Sequence, residues 1–178
     1  LPDSIKVWFK FKPKNETDLA SMNAILHTDA GYMDPSGVMG EDAEKAARIA
    51  KAYTQIAKNE EWSEYSVPFE YNDNGLDATY EGDKYLLLSF STNVNPGVGS
   101  ADDSLSIDNI RIIYNSELAT LTYDGQDIFT EGQTVFHVDG TYDETKLECT
   151  SNGRAATIEK SYDKTTGILT LTVKGEDW

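Results

Sequence analysis

The stretch Gly97-Val98-Gly99-Ser100-Ala101-Asp102-Asp103-Ser104-Leu105-Ser106-Ile107-Asp108-Asn109-Ile110-Arg111-Ile112-Ile113-Tyr114 decides how this chain folds. A glycine-rich acidic loop runs directly into a strand. Leu105 and Ile107 alternate with Ser106, as a half-buried strand requires, whereas Ile110, Ile112 and Tyr114 carry the opposite parity. A period of two cannot change faces without an extra residue, so Asp108-Asn109 is predicted to form a β-bulge. Such a bulge is expected to aim the Asp108 carboxylate back at the loop, toward Asp102 and Asp103.

Working outward, most segments read as strands. Ile5, Val7, Phe9 and Phe11 alternate with Lys6, Trp8, Lys10 and Lys12, giving one apolar face and one basic face that carries a tryptophan. A short strand over Ala24–Thr28 leads to a Pro/Gly/Met loop over 32–40. Tyr65, Val67, Phe69 and Tyr71 alternate with Glu64, Ser66 and Glu70. A polar loop over Asn72–Gly82 precedes a strand at Tyr85–Thr92. One helix is predicted over 41–59, because Ala46, Ile49, Ala50, Tyr53, Ile56 and Ala57 recur at helical spacing, with Glu41 and Asp42 at the end that favours acids. Its single apolar face is expected to bury Ala46, Ile49, Tyr53 and Ile56 against the sheet. After Asn115 short strands are separated by Asp124-Gly125, Asp139-Gly140 and Thr166-Gly167 turns, at Leu118–Tyr123, Thr134–Val138, Lys146–Thr150, Ala156–Tyr162 and Ile168–Lys174. Each half has its own apolar alternation, which predicts two domains, 1–115 and 117–178.

Four stretches together resemble a known family. Leu1-Pro2-Asp3-Ser4-Ile5 leads into Val7-Trp8-Phe9-Lys10-Phe11-Lys12-Pro13. The run from Trp62 contains Val67-Pro68-Phe69-Glu70-Tyr71. Tyr85–Ser91 is followed by Gly97-Val98-Gly99-Ser100, and the closing strand reads Leu105-Ser106-Ile107-Asp108-Asn109-Ile110. Over residues 1–115 this order is similar to the carbohydrate-metabolism domain family of secreted proteins from glycan-degrading gut bacteria, entered midway through its pattern. The resemblance implies a jelly-roll β-sandwich and a polysaccharide or oligosaccharide partner. It also implies a periplasmic or outer-surface location, with a lipid anchor in the full-length protein and other surface glycan-utilisation proteins as partners. Residues 117–178 resemble the small immunoglobulin-like module found beside such domains. The expected fold is therefore all-β: a jelly-roll-like sandwich carrying one packed α-helix, followed by a small immunoglobulin-like sandwich.

Composition narrows the function. Among 178 residues, Lys+Arg number 15 against 31 Asp+Glu, a net charge of −16. Acids outnumber bases in both halves, so a phosphate backbone is repelled and nucleic acid is not an expected partner. Apolar runs are only a few residues long, so no membrane span is expected. Cys149 is the only cysteine, which excludes an internal disulfide. No G-x-S-x-G, H-E-x-x-H, P-loop or Cys–His pair occurs, and His27 and His137 are isolated. Glu64 and Glu70 lie six residues apart on one strand parity, roughly 20 Å along it, too far for the paired carboxyls of a glycosidase. No catalytic residue is assigned.

Sugar binding asks for less. Aromatic rings stack on pyranose faces while neighbouring polar groups orient the hydroxyls. Trp8, Trp62 and Tyr85 have outward parity and are the candidate ligand-binding residues. For Trp8 a second reading stays open, that it packs beneath the predicted helix. Asp102, Asp103 and Asp108 are candidate ligands for a structural Ca²⁺, which takes six to eight oxygens. Against this, the spacing matches no complete ion loop, and Asp108 has the alternative of capping backbone N–H groups at the bulge. Asn72-Asp73-Asn74-Gly75-Leu76-Asp77 lacks an EF-hand's closing glutamate and reads as a turn. No other cofactor is implied. The expected function is non-catalytic glycan binding, with a structural adaptor and a glycoside hydrolase as the alternatives.

Overall fold

The computed structural model describes residues 1–28, 46–72, 76, 82–95 and 97–175. The chain divides into two compact units, Asp3–Ile113 and Tyr114–Trp178 together with Leu1–Pro2. The first unit holds β1 (Ser4–Lys12), β2 (Ala20–His27), β3 (Arg48–Ile56), β4 (Asn59–Pro68), β5 (Glu70–Tyr71), β6 (Tyr85–Ser91) and β7 (Ser104–Ile113). They form a three-stranded sheet, β4-β1-β7, and a four-stranded sheet, β5-β3-β2-β6, with every pairing antiparallel.

The alternation in β1 is fully realised. Ile5, Val7, Phe9 and Phe11 are completely buried, and the residues between them point the other way. Phe9 meets Tyr65 edge-on at 5.4 Å within its own sheet and Phe90 at 6.1 Å from the opposite sheet. Met22, Ala24 and Leu26 of β2 and Ala50, Ala52 and Ile56 of β3 complete the core. The two sheets thus close into a β-sandwich. Pro68-Phe69 carries the chain from the end of β4 to β5 in the other sheet, and the Phe69 N–H donates to the Asp3 carbonyl at 2.9 Å.

Two irregularities shape the three-stranded sheet. Lys6 pairs with Arg111 but Trp8 pairs with Asp108, so β7 has one more residue than β1 there, and Asn109 takes a left-handed φ of 50°. This is the bulge read from the parity change. The second lies in β4, where Phe9 pairs with Ser63 but Phe11 with Asn59. The Asn59 side chain stands in for the missing ladder: its Oδ1 accepts from the Phe11 N–H at 2.7 Å, and its Nδ2 donates to the Phe9 carbonyl at 3.0 Å.

The predicted helix is corrected. Ala46 and Ala47 are helical, but Arg48–Ile56 is β3, in the interior of the four-stranded sheet. Helical spacing and strand alternation coexist in this segment. Ala50, Ala52 and Ile56 are buried, whereas Lys51, Tyr53 and Gln55 face outward. Helix propensity is a weak preference that pairing on both sides overrides. Small alanines suit this position, since Ala52 lies opposite Ala24 and Ala50 opposite Leu26. Ile49 is buried as expected, at the register shift that breaks the pairing with β2, but Ala46 and Tyr53 are exposed. Residues 41–45, the 32–40 loop, and residues 73–75 and 77 of the acidic turn lie outside the described residues.

The second unit has β8 (Leu118–Tyr123), β9 (Gln126–Asp127), a 3₁₀ turn at Glu144–Lys146, β10 (Leu147–Ser151), β11 (Thr157–Asp163) and β12 (Ile168–Lys174). They pair as a β10-β8-β9 sheet and a β11-β12 hairpin. The strand expected at Thr134–Val138 is absent. That segment is irregular, with Val135 and Val138 exposed and Phe136 stacked on Phe129 at 6.3 Å. Without a ladder partner its alternation has no sheet to join. Leu121 and Leu147 are the buried apolar residues of β8 and β10, and Tyr142 packs between Tyr123 and Tyr162.

Phe9→Ala is expected to destabilise the first unit by about 3–5 kcal/mol, because the cavity sits where the two sheets meet. Chemical denaturation followed by tryptophan fluorescence measures it, since Trp8 and Trp62 report on this unit. A loss below about 1 kcal/mol would contradict the packing described. In the second unit, a Cβ at Gly153 would overlap the Asn115 carbonyl oxygen. Gly153→Ala should therefore lower its melting temperature, and an unchanged transition would contradict that close approach.

Candidate functional site

The acidic loop is a clasp. Asp103 Oδ1 accepts from the Lys14 N–H and its Oδ2 from the Ser100 N–H, each at 2.7 Å. Asp102 Oδ2 pairs with Lys14 Nζ at 2.9 Å. The loop that feeds β7 is thereby tied to the segment leaving β1. Asp108 is elsewhere: it lies beside Trp8, and its Oδ1 accepts from the N–H of Asn109 at 2.7 Å. Four residues of strand separate it from Ser104, about 13 Å. The structure therefore does not bring Asp108 to Asp102 and Asp103, and the bulge does not aim it at the loop. Among the described residues no group of three or more His, Cys, Asp or Glu could hold a metal ion.

The outer face of the three-stranded sheet carries Lys6, Trp8, Lys10 and Lys12 from β1. Beside them stand Glu64 and Ser66 from β4, and Ser104, Ser106, Asp108 and Arg111 from β7. Trp8 is half-buried, with Glu64 on one side and Asp108 on the other. Trp62, two residues before Glu64 on β4, is 43% exposed. It lies in the stretch where the β1–β4 register shifts, between the Phe9–Ser63 and Phe11–Asn59 pairs. Arg111 Nη2 donates to Glu64 Oε1 across β1. The expected helical cover for Trp8 is not present over 48–56, because those residues are β3 in the other sheet.

Tyr85 belongs to the opposite surface. The outer face of the four-stranded sheet forms rows across β3, β2 and β6: Gln55–Ser21–Ser91, Tyr53–Asn23–Ser89, Lys51–Ile25–Leu87 and Arg48–His27–Tyr85. Glu70 of β5 adjoins Lys51. Tyr53 is 45% exposed and its hydroxyl accepts from Gln55 Nε2 at 3.1 Å, while Lys51 Nζ stands 5.2 Å from its ring. Burial first, and then the Arg48 charge, hold the Lys51 ammonium below the ordinary lysine range, with Glu70 opposing. His27 is buried with its ring 5.9 Å from that of Tyr85. Asn23 Oδ1 and His27 Nδ1, both buried in this face, find no hydrogen-bond partner among the described residues. Tyr53 on β3 and Tyr85 on β6 stand on either side of β2, roughly 16 Å apart by strand spacing and rise.

Trp8 and Trp62 thus lie on adjacent strands of one sheet, and Tyr85 is not with them. The sequence reading missed Tyr53, Asn23 and His27, whose signal was the alternation of Lys51, Tyr53 and Gln55 with Ala50, Ala52 and Ile56. Glu64 and Glu70 stand on the outer faces of different sheets, so they cannot flank one glycosidic bond.

No family model matches the chain, and no curated protein matches it. A solved structure does match: a putative glycoside hydrolase from Bacteroides thetaiotaomicron, at 19% identity and a TM-score of 0.50. The match covers 66% of this chain and 39% of that one. The chain therefore spans well under half the length of that neighbour, and the likeness is one of fold. No helix among the described residues is long and apolar enough to cross a membrane.

The clasp makes a pH prediction. The backbone donors of Lys14 and Ser100 hold the Asp103 carboxyl below the usual carboxylate range. A depressed carboxyl stabilises the fold fully above its unfolded value of about 3.9 and progressively less as pH falls below that. Asp103→Asn should lower the melting temperature at pH 7 and flatten part of the acid decline. Identical slopes for the two proteins below about pH 4 would contradict the clasp.

Proposed function

We propose that this protein is a non-catalytic glycan-binding module, and that the outer face of the four-stranded sheet is its binding surface. The observation that carries the reading is the pair of exposed tyrosines, Tyr53 and Tyr85, on a face that also presents Asn23, Gln55, Ser89 and Ser91. Sugars bring both hydroxyls for Asn23, Gln55, Ser89 and Ser91, and C–H faces for the rings of Tyr53 and Tyr85. Lys51 and Glu70 offset one another, which suits a neutral chain. Likeness of fold to a protein described as a putative glycoside hydrolase, and the resemblance of residues 1–115 to a carbohydrate-metabolism domain, point in the same direction. The separation of Glu64 from Glu70 favours binding over hydrolysis by that pair. The natural setting of such a module is outside the cytoplasm, where polysaccharide is met.

Calorimetry with neutral oligosaccharides selected on a glycan array tests this. Tyr53→Ala and Tyr85→Ala should each weaken binding about tenfold, or ~1.4 kcal/mol, with little loss of melting temperature because both rings are partly exposed. Glu64→Gln and Glu70→Gln should leave affinity unchanged. Release of reducing ends that Glu70→Gln abolishes would replace this reading with the hydrolase. Affinity indifferent to both tyrosines would remove the four-stranded sheet from the account.

A further inference from the structure

The basic residues of this acidic chain are unevenly placed. Of 15 Lys+Arg in a molecule of net charge −16, Lys6, Lys10, Lys12 and Arg111 share the outer face of the three-stranded sheet. Arg111 is engaged by Glu64, and Lys14, just beyond β1, by Asp102. The side chains of Lys6, Lys10 and Lys12 have no hydrogen-bond or ion-pair partner among the described residues. Alternation puts all three on one line along β1, with Lys6 about 13 Å from Lys10 and Lys10 about 7 Å from Lys12. Trp8 lies between Lys6 and Lys10, and exposed Trp62 lies on β4 two residues before Glu64, the partner of Trp8. Flat rings interleaved with unpaired ammonium groups make a surface complementary to a chain of rings that carries spaced negative charge.

We propose that the outer face of the three-stranded sheet is a second binding surface, for an acidic polysaccharide whose carboxylates meet Lys6, Lys10 and Lys12 while its sugar rings stack on Trp8 and Trp62. Charge complementarity selects the ligand class. Elsewhere the surface is strongly acidic, and it repels a dense polyanion such as nucleic acid, with one charge per about 1.7 Å of duplex axis. A uronate chain carries its charges one per sugar, few enough for a short lysine line to neutralise locally. Asp108 and Glu64 flank Trp8, and Arg111 neutralises the latter, so the line keeps a net positive charge. The surface is on the opposite side of the sandwich from Tyr53 and Tyr85, and it stands or falls separately from the proposal for that face.

The experiment is a titration of the whole chain with oligogalacturonate, followed by tryptophan fluorescence and calorimetry. Binding is expected at about 50 mM salt and should weaken several-fold at about 300 mM, as screening shortens the reach of each ammonium group. The triple variant Lys6→Gln/Lys10→Gln/Lys12→Gln should lose about tenfold in affinity, and the corresponding triple Lys→Arg variant should retain it. Tyr53→Ala and Tyr85→Ala should leave oligogalacturonate binding unchanged, and circular dichroism should be that of the wild type throughout. The fully methyl-esterified oligomer, which has the same rings without charge, should bind more weakly. Failure of oligogalacturonate to bind, equal binding by the glutamine variant, or equal binding of the esterified oligomer would each overturn the proposal. Oligo(dT) binding as tightly as oligogalacturonate would overturn it in favour of a general polyanion surface. Loss of binding on Tyr85→Ala alone would overturn it by moving the ligand to the other sheet.

Discussion

Strand β1 is the constraint on which the rest of the first unit depends. Its inward residues Ile5, Val7, Phe9 and Phe11 are fully buried, and Phe9 joins the two sheets through Phe90. A strand has only two faces, so burying this set commits Lys6, Trp8, Lys10 and Lys12 to the other side. The same commitment sets the neighbours. β7 must bulge at Asn109 to keep Ile107 and Ile112 on the inner face, and the Asn59 side chain must complete the ladder where β4 departs from register. The Asp103 clasp then anchors the residues just beyond β1 to the loop preceding β7.

The sandwich consequently offers two outer surfaces of different chemistry. One is a row-by-row array of hydroxyls, amides, two tyrosines and a buried histidine, with few net charges. The other is a lysine line with two tryptophans. Both are built on strands of paired sheets. Glu64 is engaged by Arg111 on one side of the molecule, and Glu70 lies beside Lys51 on the other.

Where alternation was unambiguous, the fold was legible in the sequence. The strands at β1, β7 and β12 and the bulge at Asp108-Asn109 all follow from side chains that must keep or change faces. Alanine misled at β3, because Ala46, Ala50 and Ala57 support a helical stripe while Ala50, Ala52 and Ile56 support a strand. The choice between them comes from β2 and β5, whose pairing is invisible in the local sequence. The site inherited this error: assigning 41–59 to a helix hid the face on which Tyr53 stands beside Asn23. Outward parity correctly placed Trp8 and Trp62 on the surface but could not say that Tyr85 faces away from them, since parity carries no information about which sheet a strand joins. At Thr134–Val138 the alternation was real, but the strand it promised found no partner.

The central claim is that the four-stranded sheet binds sugar through Asn23, Gln55, Tyr53 and Tyr85. Backbone amide chemical shifts recorded while a neutral hexasaccharide is titrated into isotope-labelled protein test it most directly. The account predicts saturable shifts along β2, β3 and β6, centred on those four residues, with Lys6–Lys12 of β1 and the second unit unmoved. Saturable shifts confined to the second unit, or to β1 and β4, would contradict it.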